Sequence, residues 1–142
     1  VVSAPAILKE RGVPLTESTR ESSPIYDSLI RVKVKTGGKW RSLAGAVIAG
    51  QPKIAEVKNM QLEAHFHPVM LFVNNSDKPG FIGALGTMLA DAKINIATFH
   101  LGREGEGEDA IALVGVDQVI TDDLLARIKA LPQVRYAKVL RF

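Results

Sequence analysis

A chain of 142 residues that is 46% hydrophobic and 23% charged, with 12 Gly and 7 Pro, has the balance of one ordinary domain or two small ones, which excludes intrinsic disorder and a continuous coiled coil. Its longest mostly apolar stretch, residues 43–50, is far short of the roughly 20 residues a bilayer span needs, and its zero cysteines exclude disulfides, Cys-held zinc or iron–sulfur and a thiol nucleophile. The net charge of +3 is uneven: residues 1–67 hold ten Lys/Arg against six Asp/Glu, and residues 68–142 hold eight against nine. Without a charged-then-apolar leader, neither a membrane protein nor a secretory precursor is expected, and a reducing cytoplasm is the expected setting. The start at Val1-Val2-Ser3, with no Met, reads as a processed or excised piece.

In chain order, residues 5–11 (PAILKER) read as a short helix, with Pro5 in the first turn and Gly12 as the stop. Residues 12–24, rich in Ser, Thr and Glu, read as a loop or extended edge. Residues 26–35 alternate strictly, and Gly37-Gly38 separates them from a strand beginning at Trp40, a hairpin signal. A second hairpin is predicted where residues 53–57 and 61–66 flank Lys58-Asn59-Met60. The first 67 residues are therefore a mostly antiparallel sheet with one short helix, too little for a stable core unless it leans on another layer.

From Pro68 the period changes. Residues 69–73 (VMLFV) form a continuous apolar run, as in a fully buried strand. A polar loop, residues 74–80, leads into Phe81, Leu85, Met88 and Leu89 at helical spacing, followed by strands at 94–101 and 110–116. Thr121-Asp122-Asp123 opens a second helix with Thr121 as N-cap, Pro132 stops it, and residues 134–140 form the last strand. The order β-α-β-β-α-β predicts a ferredoxin-like α+β fold, an antiparallel four-stranded sheet with two helices on one face and either solvent or a partner on the other. The domain boundary is placed between residues 1–67 and 68–142.

The loop at Asp77-Lys78-Pro79-Gly80 carries the chemistry. The first N–H groups of the following helix lack intrahelical acceptors and sit at its positive end, which suits a carboxylate. Gly80 permits close approach to the backbone, and Asp77 supplies the sign that holds an ammonium group. An α-amino acid carries both charges on one carbon. The alternative is that Asp77 caps the helix and Gly80 serves the turn.

These residues also carry a resemblance. Asp77-Lys78-Pro79-Gly80-Phe81 followed by Asn95-Ile96 is similar to the ACT domain signature. Ser3-Ala4-Pro5, Glu10-Arg11-Gly12, Ser23-Pro24-Ile25-Tyr26 and Val47-Ile48 through Lys53-Ile54 resemble the allosteric substrate-binding (intervening) domain that precedes the ACT domain in long-type D-3-phosphoglycerate dehydrogenases. The resemblance implies a partial intervening domain joined to an ACT regulatory domain that binds L-serine, or another small amino acid, at a dimer interface between two sheets for feedback inhibition. It implies ligand contacts at Asn75, Asp77, Pro79, Gly80, Asn95 and Ile96, with Asn95 supplied across the interface. Asn75 stands where many relatives carry His or Tyr, and its amide still donates and accepts. The resemblance also implies that the catalytic domains, with their NAD, and the first part of the intervening domain lie outside this chain, so no catalytic residue or cofactor is expected in it. Partners are then a second copy, in a homodimer or higher homo-oligomer, and the parent's catalytic domains.

Other features have two readings each. Arg31, Lys33 and Lys35 lie on one strand face, either simply solvated or, with Lys53 and His65, forming an anion site for a small phosphate or carboxylate. Nucleic acid is not expected, since no motif is present and Trp40 is the only aromatic near those cations. His65 and His67 share a strand face but lack a third ligand, so no metal is expected. Gly105-Glu106-Gly107 lies in an acidic hairpin that repels phosphate and is no dinucleotide site. Gly83 and Gly86 weaken a helix either for close helix–sheet packing or for approach of a second subunit.

Overall fold

The computed structural model describes residues 3–19, 25, 26 and 28–142. Val1-Val2, positions 20–24 of the predicted loop with the Ser23-Pro24 part of the motif, and position 27 of the predicted strand lie outside the described residues. Helix α1 (Ala4–Glu10) forms where expected, with Pro at its start, but none of its residues is buried. Residues 13–19 follow it without regular structure.

A meander of four antiparallel strands comes next, β1 (Leu29–Thr36), β2 (Lys39–Ile48), β3 (Gln51–Val57) and β4 (Met60–His65), in the spatial order β1-β2-β3-β4. All three connections are two-residue turns whose central residues have positive φ, Gly37-Gly38, Ala49-Gly50 and Lys58-Asn59. Such turns match the right-handed twist of the strands they join. Met60, read as part of the second turn, is instead the first residue of β4. The strand expected from position 26 begins at Leu29, where pairing to Ala46 starts, and Tyr26 is buried against Ala46 and Ala55.

The second half folds as β5 (Val69–Ser76), α2 (Phe81–Asp91), β6 (Ile96–Arg103), β7 (Asp109–Val116), α3 (Asp122–Lys129) and β8 (Val134–Arg141). The sheet order β6-β7-β5-β8, all antiparallel, is the predicted ferredoxin-like arrangement. Thr121 caps α3 by accepting from the Leu124 N–H at 3.3 Å, with Asp122 and Asp123 in the first turn and Arg127 and Lys129 in the last. The helices cover one sheet face through Phe81, Leu85, Leu89, Leu124 and Ile128, packed on Leu71, Val73, Ala112 and Val114.

The other face is covered from within the chain. Met70, Ile111 and Leu113 of the second sheet pack against Ile54, Val57, Met60 and Ala64 of the first in one apolar cluster. The first sheet leans on the second, and β5 and β7 are buried on both faces, which explains their near-continuous apolar runs. Where β4 crosses β6 the backbones nearly touch: a Cβ at Gly102 would lie 2.9 Å from the Gln61 carbonyl oxygen and from Leu62. Only a residue without a side chain fits that crossing. Among the described residues no helix is long and apolar enough to cross a membrane.

Candidate functional site

Strand β5 delivers the site by alternation. Leu71 and Val73 face the helices, and Asn75 continues that side beneath the start of α2, only 1% exposed. Its Nδ2 donates to the Ser76 carbonyl at 3.0 Å, while its buried Oδ1 has no hydrogen-bond partner among the described residues. Beyond Ser76 the loop turns on Gly80, whose φ of +94° places it in the left-handed region and makes it the N-cap of α2. No side chain caps this helix, so its first N–H groups face the loop without an acceptor.

The loop is fastened on two sides. The Asp77 N–H donates to the Glu108 carbonyl at 2.8 Å, and the Gly107 N–H donates to the Asp77 carbonyl at 3.1 Å. The Asp77 carboxylate accepts from Arg103 Nη1 at 3.1 Å, so its charge is already engaged by the end of β6. On the other side the Ser76 N–H donates to the Gln133 carbonyl at 2.8 Å, and Arg135 bonds Ser76 Oγ at 3.1 Å while pairing with Asp109. Gln133 was not anticipated: its side-chain Oε1 is buried without a partner among the described residues, and its Nε2 lies 3.8 Å from the position a Cβ would take at Gly80. A polar residue directly after a helix-stopping Pro132 was the available signal.

Asn95 and Ile96 stand elsewhere. Asn95 donates through its N–H to Gln118 and through Nδ2 to Asp117, both at 2.6 Å, at the start of β6. Ser76 pairs with Asp109 and Ile96 with Val116, seven positions apart on β7, or roughly 23 Å at about 3.3 Å per residue. One chain therefore separates Asn95 from the Asp77 loop by the length of the sheet. Strand β6, which joins these two ends, is an edge strand of its sheet among the described residues.

The cationic residues divide. Lys33 pairs opposite Ser42 and Lys53 opposite Ala46, four positions along β2 and on either side of it, so the fold does not bring Lys33 to Lys53. Arg31 and Glu56, both opposite Ala44, form an ion pair across it, and the Lys35 ammonium lies 5.9 Å from the Trp40 ring centre. Lys53, by contrast, pairs opposite His65, and the His65 ring centre lies 6.0 Å from that of His100 on β6. His100 was not grouped with them from sequence, because the crossing of β4 over β6 brings it there. Its Nε2 is buried without a partner among the described residues. Burial first, then His65 and Lys53, holds its pKa below the ordinary histidine value.

His67 has other partners, with Nδ1 3.1 Å from the Val69 carbonyl and Nε2 3.7 Å from Asp117. Among the described residues no three His, Asp or Glu side chains gather as a metal set. Gly105-Glu106-Gly107 lies in the β6–β7 turn, and the Glu108 carboxylate sits 3.2 Å from where a Gly105 Cβ would be, the wrong charge for a phosphate cradle. At Gly83 and Gly86 a Cβ would meet nothing within 4 Å, so close helix–sheet packing is not their reason.

Residues 1–58 match the family model of the D-3-phosphoglycerate dehydrogenase intervening domain, and residues 69–133 match that of the ACT domain. Relatives over nearly the same residues include the D-3-phosphoglycerate dehydrogenases of Methanocaldococcus jannaschii, 29% identical over 99% of this chain, and Bacillus subtilis, 29% identical over 98%. That of Archaeoglobus fulgidus is 35% identical over 88% of the chain. The chain spans about a quarter of the length of these relatives, 26%, 27% and 24% respectively.

Proposed function

Because the chain joins a D-3-phosphoglycerate dehydrogenase intervening-domain segment to an ACT domain, we propose that it is a regulatory region of such an enzyme, binding L-serine between two ACT sheets. The observation that carries this reading is the separation of Asn95 from the Asp77 loop by the length of β6, an edge strand. Two copies set antiparallel along β6 bring the Asn95 of one beside the Asp77 loop of the other, a composite site that neither copy holds alone. The ligand carboxylate then meets the free N–H groups of α2, and its ammonium turns toward the Asn75 and Asp77 oxygens. Open space at Gly83 is consistent with close approach of the second copy.

Regulation follows if serine binds one interface geometry more tightly than another. The crossing of β4 over β6 at Gly102 is the contact through which that bias reaches residues 1–67, and from there the catalytic domains of the longer parent, where NAD chemistry resides. The test is calorimetric titration and thermal shift of the 142-residue chain with millimolar L-serine, alongside sedimentation. Binding with a rise in Tm is expected, and Asp77→Ala removes it. No heat and no shift in the wild-type chain would overturn the reading.

The ion pair of Asp77 with Arg103 favours a second reading, an oligomerisation module whose pocket is already closed. Dimerisation with no response across an amino-acid panel would select it. A response to another amino acid instead of serine would make the chain a sensor of that ligand.

The anion reading continues in a revised set, Lys53, His65 and His100, without Lys33 and Lys35. A small phosphorylated or carboxylate anion would accept from the partnerless His100 Nε2 and raise the imidazole pKa. Phosphate should therefore bind more tightly at pH 6 than at pH 8, measured by titration. Equal affinity at both would remove His100 from the set.

A further inference from the structure

We propose that Gln133 determines specificity for the α-ammonium group of the ACT-site ligand, an inference that rests on the amino-acid reading above. Asp77, the only carboxylate of residues 74–80, is held by Arg103, so it offers an incoming ammonium a shared charge and not a free one. Two neutral acceptors remain at the mouth of α2. Asn75 Oδ1 and Gln133 Oε1 are both buried and both without a partner among the described residues, and the Gln133 carboxamide reaches the helix start through its Nε2, 3.8 Å from the Gly80 Cβ position.

The backbone sets these two amides against one another. Asn75 pairs opposite Val134 after a register shift, and the next residue, Ser76, bonds the Gln133 carbonyl at 2.8 Å. The Gln133 amide therefore reaches over Gly80, with Nε2 3.8 Å from its Cβ position, where the helix leaves its first N–H groups open. A buried acceptor without a donor is destabilising, and a ligand N–H that reaches it removes that penalty. A hydroxyl or hydrogen in place of the ammonium supplies fewer donors and no charge. Gln133 Oε1 thus selects amino acids over the matching hydroxy acids, while the α2 N–H groups donate to the carboxylate of either.

The experiment titrates the 142-residue chain and its Gln133→Leu variant with two pairs, L-serine against L-glycerate and L-alanine against L-lactate. Wild type should prefer the amino acid in each pair, and Gln133→Leu should shrink that preference about ten- to a hundred-fold, the worth of one charge-assisted hydrogen bond. The ligand-free Tm of the variant should not fall, because an unsatisfied acceptor has been removed and the Gln133 carbonyl bond to Ser76 is kept. Should Gln133→Leu fail to fold, Gln133→Met carries the same expectation with an unbranched side chain. An unchanged preference in the variant, or binding without any preference in wild type, would overturn the role of Gln133 and leave the amino-acid site standing. No binding of either class by wild type would overturn both.

Discussion

Residues 1–67 and residues 68–142 each build a sheet of four antiparallel strands, and they differ in what covers it. The second sheet has two helices on one face and the first sheet's apolar layer on the other. Among the described residues the first sheet has that shared layer and a small cluster of Tyr26, Ala46 and Ala55. Its helix α1 buries nothing, and on β1 the apolar series Ile30, Val32 and Val34 is 76%, 55% and 52% exposed. The difference teaches that alternation and turns are sufficient to make a ladder, while a core needs a second layer of the right period. The same contrast separates their charges: the basic series on β1 is partly spent on Glu56 and Trp40, while the second half sets opposite charges at the two ends of α3 and pairs Asp77 with Arg103 and Asp109 with Arg135.

The largest expected effect sharpens this contrast directly. Leu85→Ala, in the fully buried helix face, should cost about 2–5 kcal/mol in denaturant unfolding, whereas Val32→Ala should cost under about 0.5 kcal/mol. Comparable losses at the two positions would mean that a second copy buries β1 in solution. Next, Gly102→Val forces a side chain into the 2.9 Å approach between β6 and β4 and should cost about 1–3 kcal/mol. Hydrogen exchange should then show β4 and β3 losing protection before β5 and β7; uniform loss would deny that this crossing joins the halves.

A smaller change runs the other way. Gly83→Ala in the monomeric chain should raise stability by roughly 0.5–1 kcal/mol, since the space is open and the helix gains a better former. If that gain comes with weaker association in sedimentation, the glycine serves the second copy. The smallest effect is the pH response at the junction. His100 is held below its ordinary value in the folded chain, so the unfolded chain binds its proton first as pH falls. Its contribution is complete above about pH 6.5 and is lost as pH drops through the folded value, lowering Tm. His100→Gln should flatten that fall; an unaltered profile would place the titration elsewhere.

Much of this was legible along the chain. The helix spacing of Phe81, Leu85 and Leu89, the Thr121 cap and the Gly-Gly turn are local devices, in which a few neighbouring residues decide their own backbone. So was the Asp77 loop, because a strand, a turn glycine and a helix start follow one another directly in sequence. The start of β1 was misplaced because Tyr26 fits the alternation yet finds its cover against Ala46 and Ala55, which no period reveals. The Ala49-Gly50 turn was hidden inside an apolar stretch, where an alanine takes a conformation usually left to glycine or asparagine.

The sequence by itself determined the β-α-β-β-α-β order, the basic first half, the charge and glycine turn of the Asp77 loop and the family resemblance, since each is written in residues close together. Tertiary structure alone decided which distant groups meet. It closed the open face of the second sheet with the first, tied Asp77 to Arg103, set Gln133 over Gly80 and brought His100 to Lys53 and His65. Those contacts depend on register and on one close strand crossing at Gly102, and a shift of a single residue along a strand would turn its side chains, those of Lys53, His65 and His100 among them, to the opposite face.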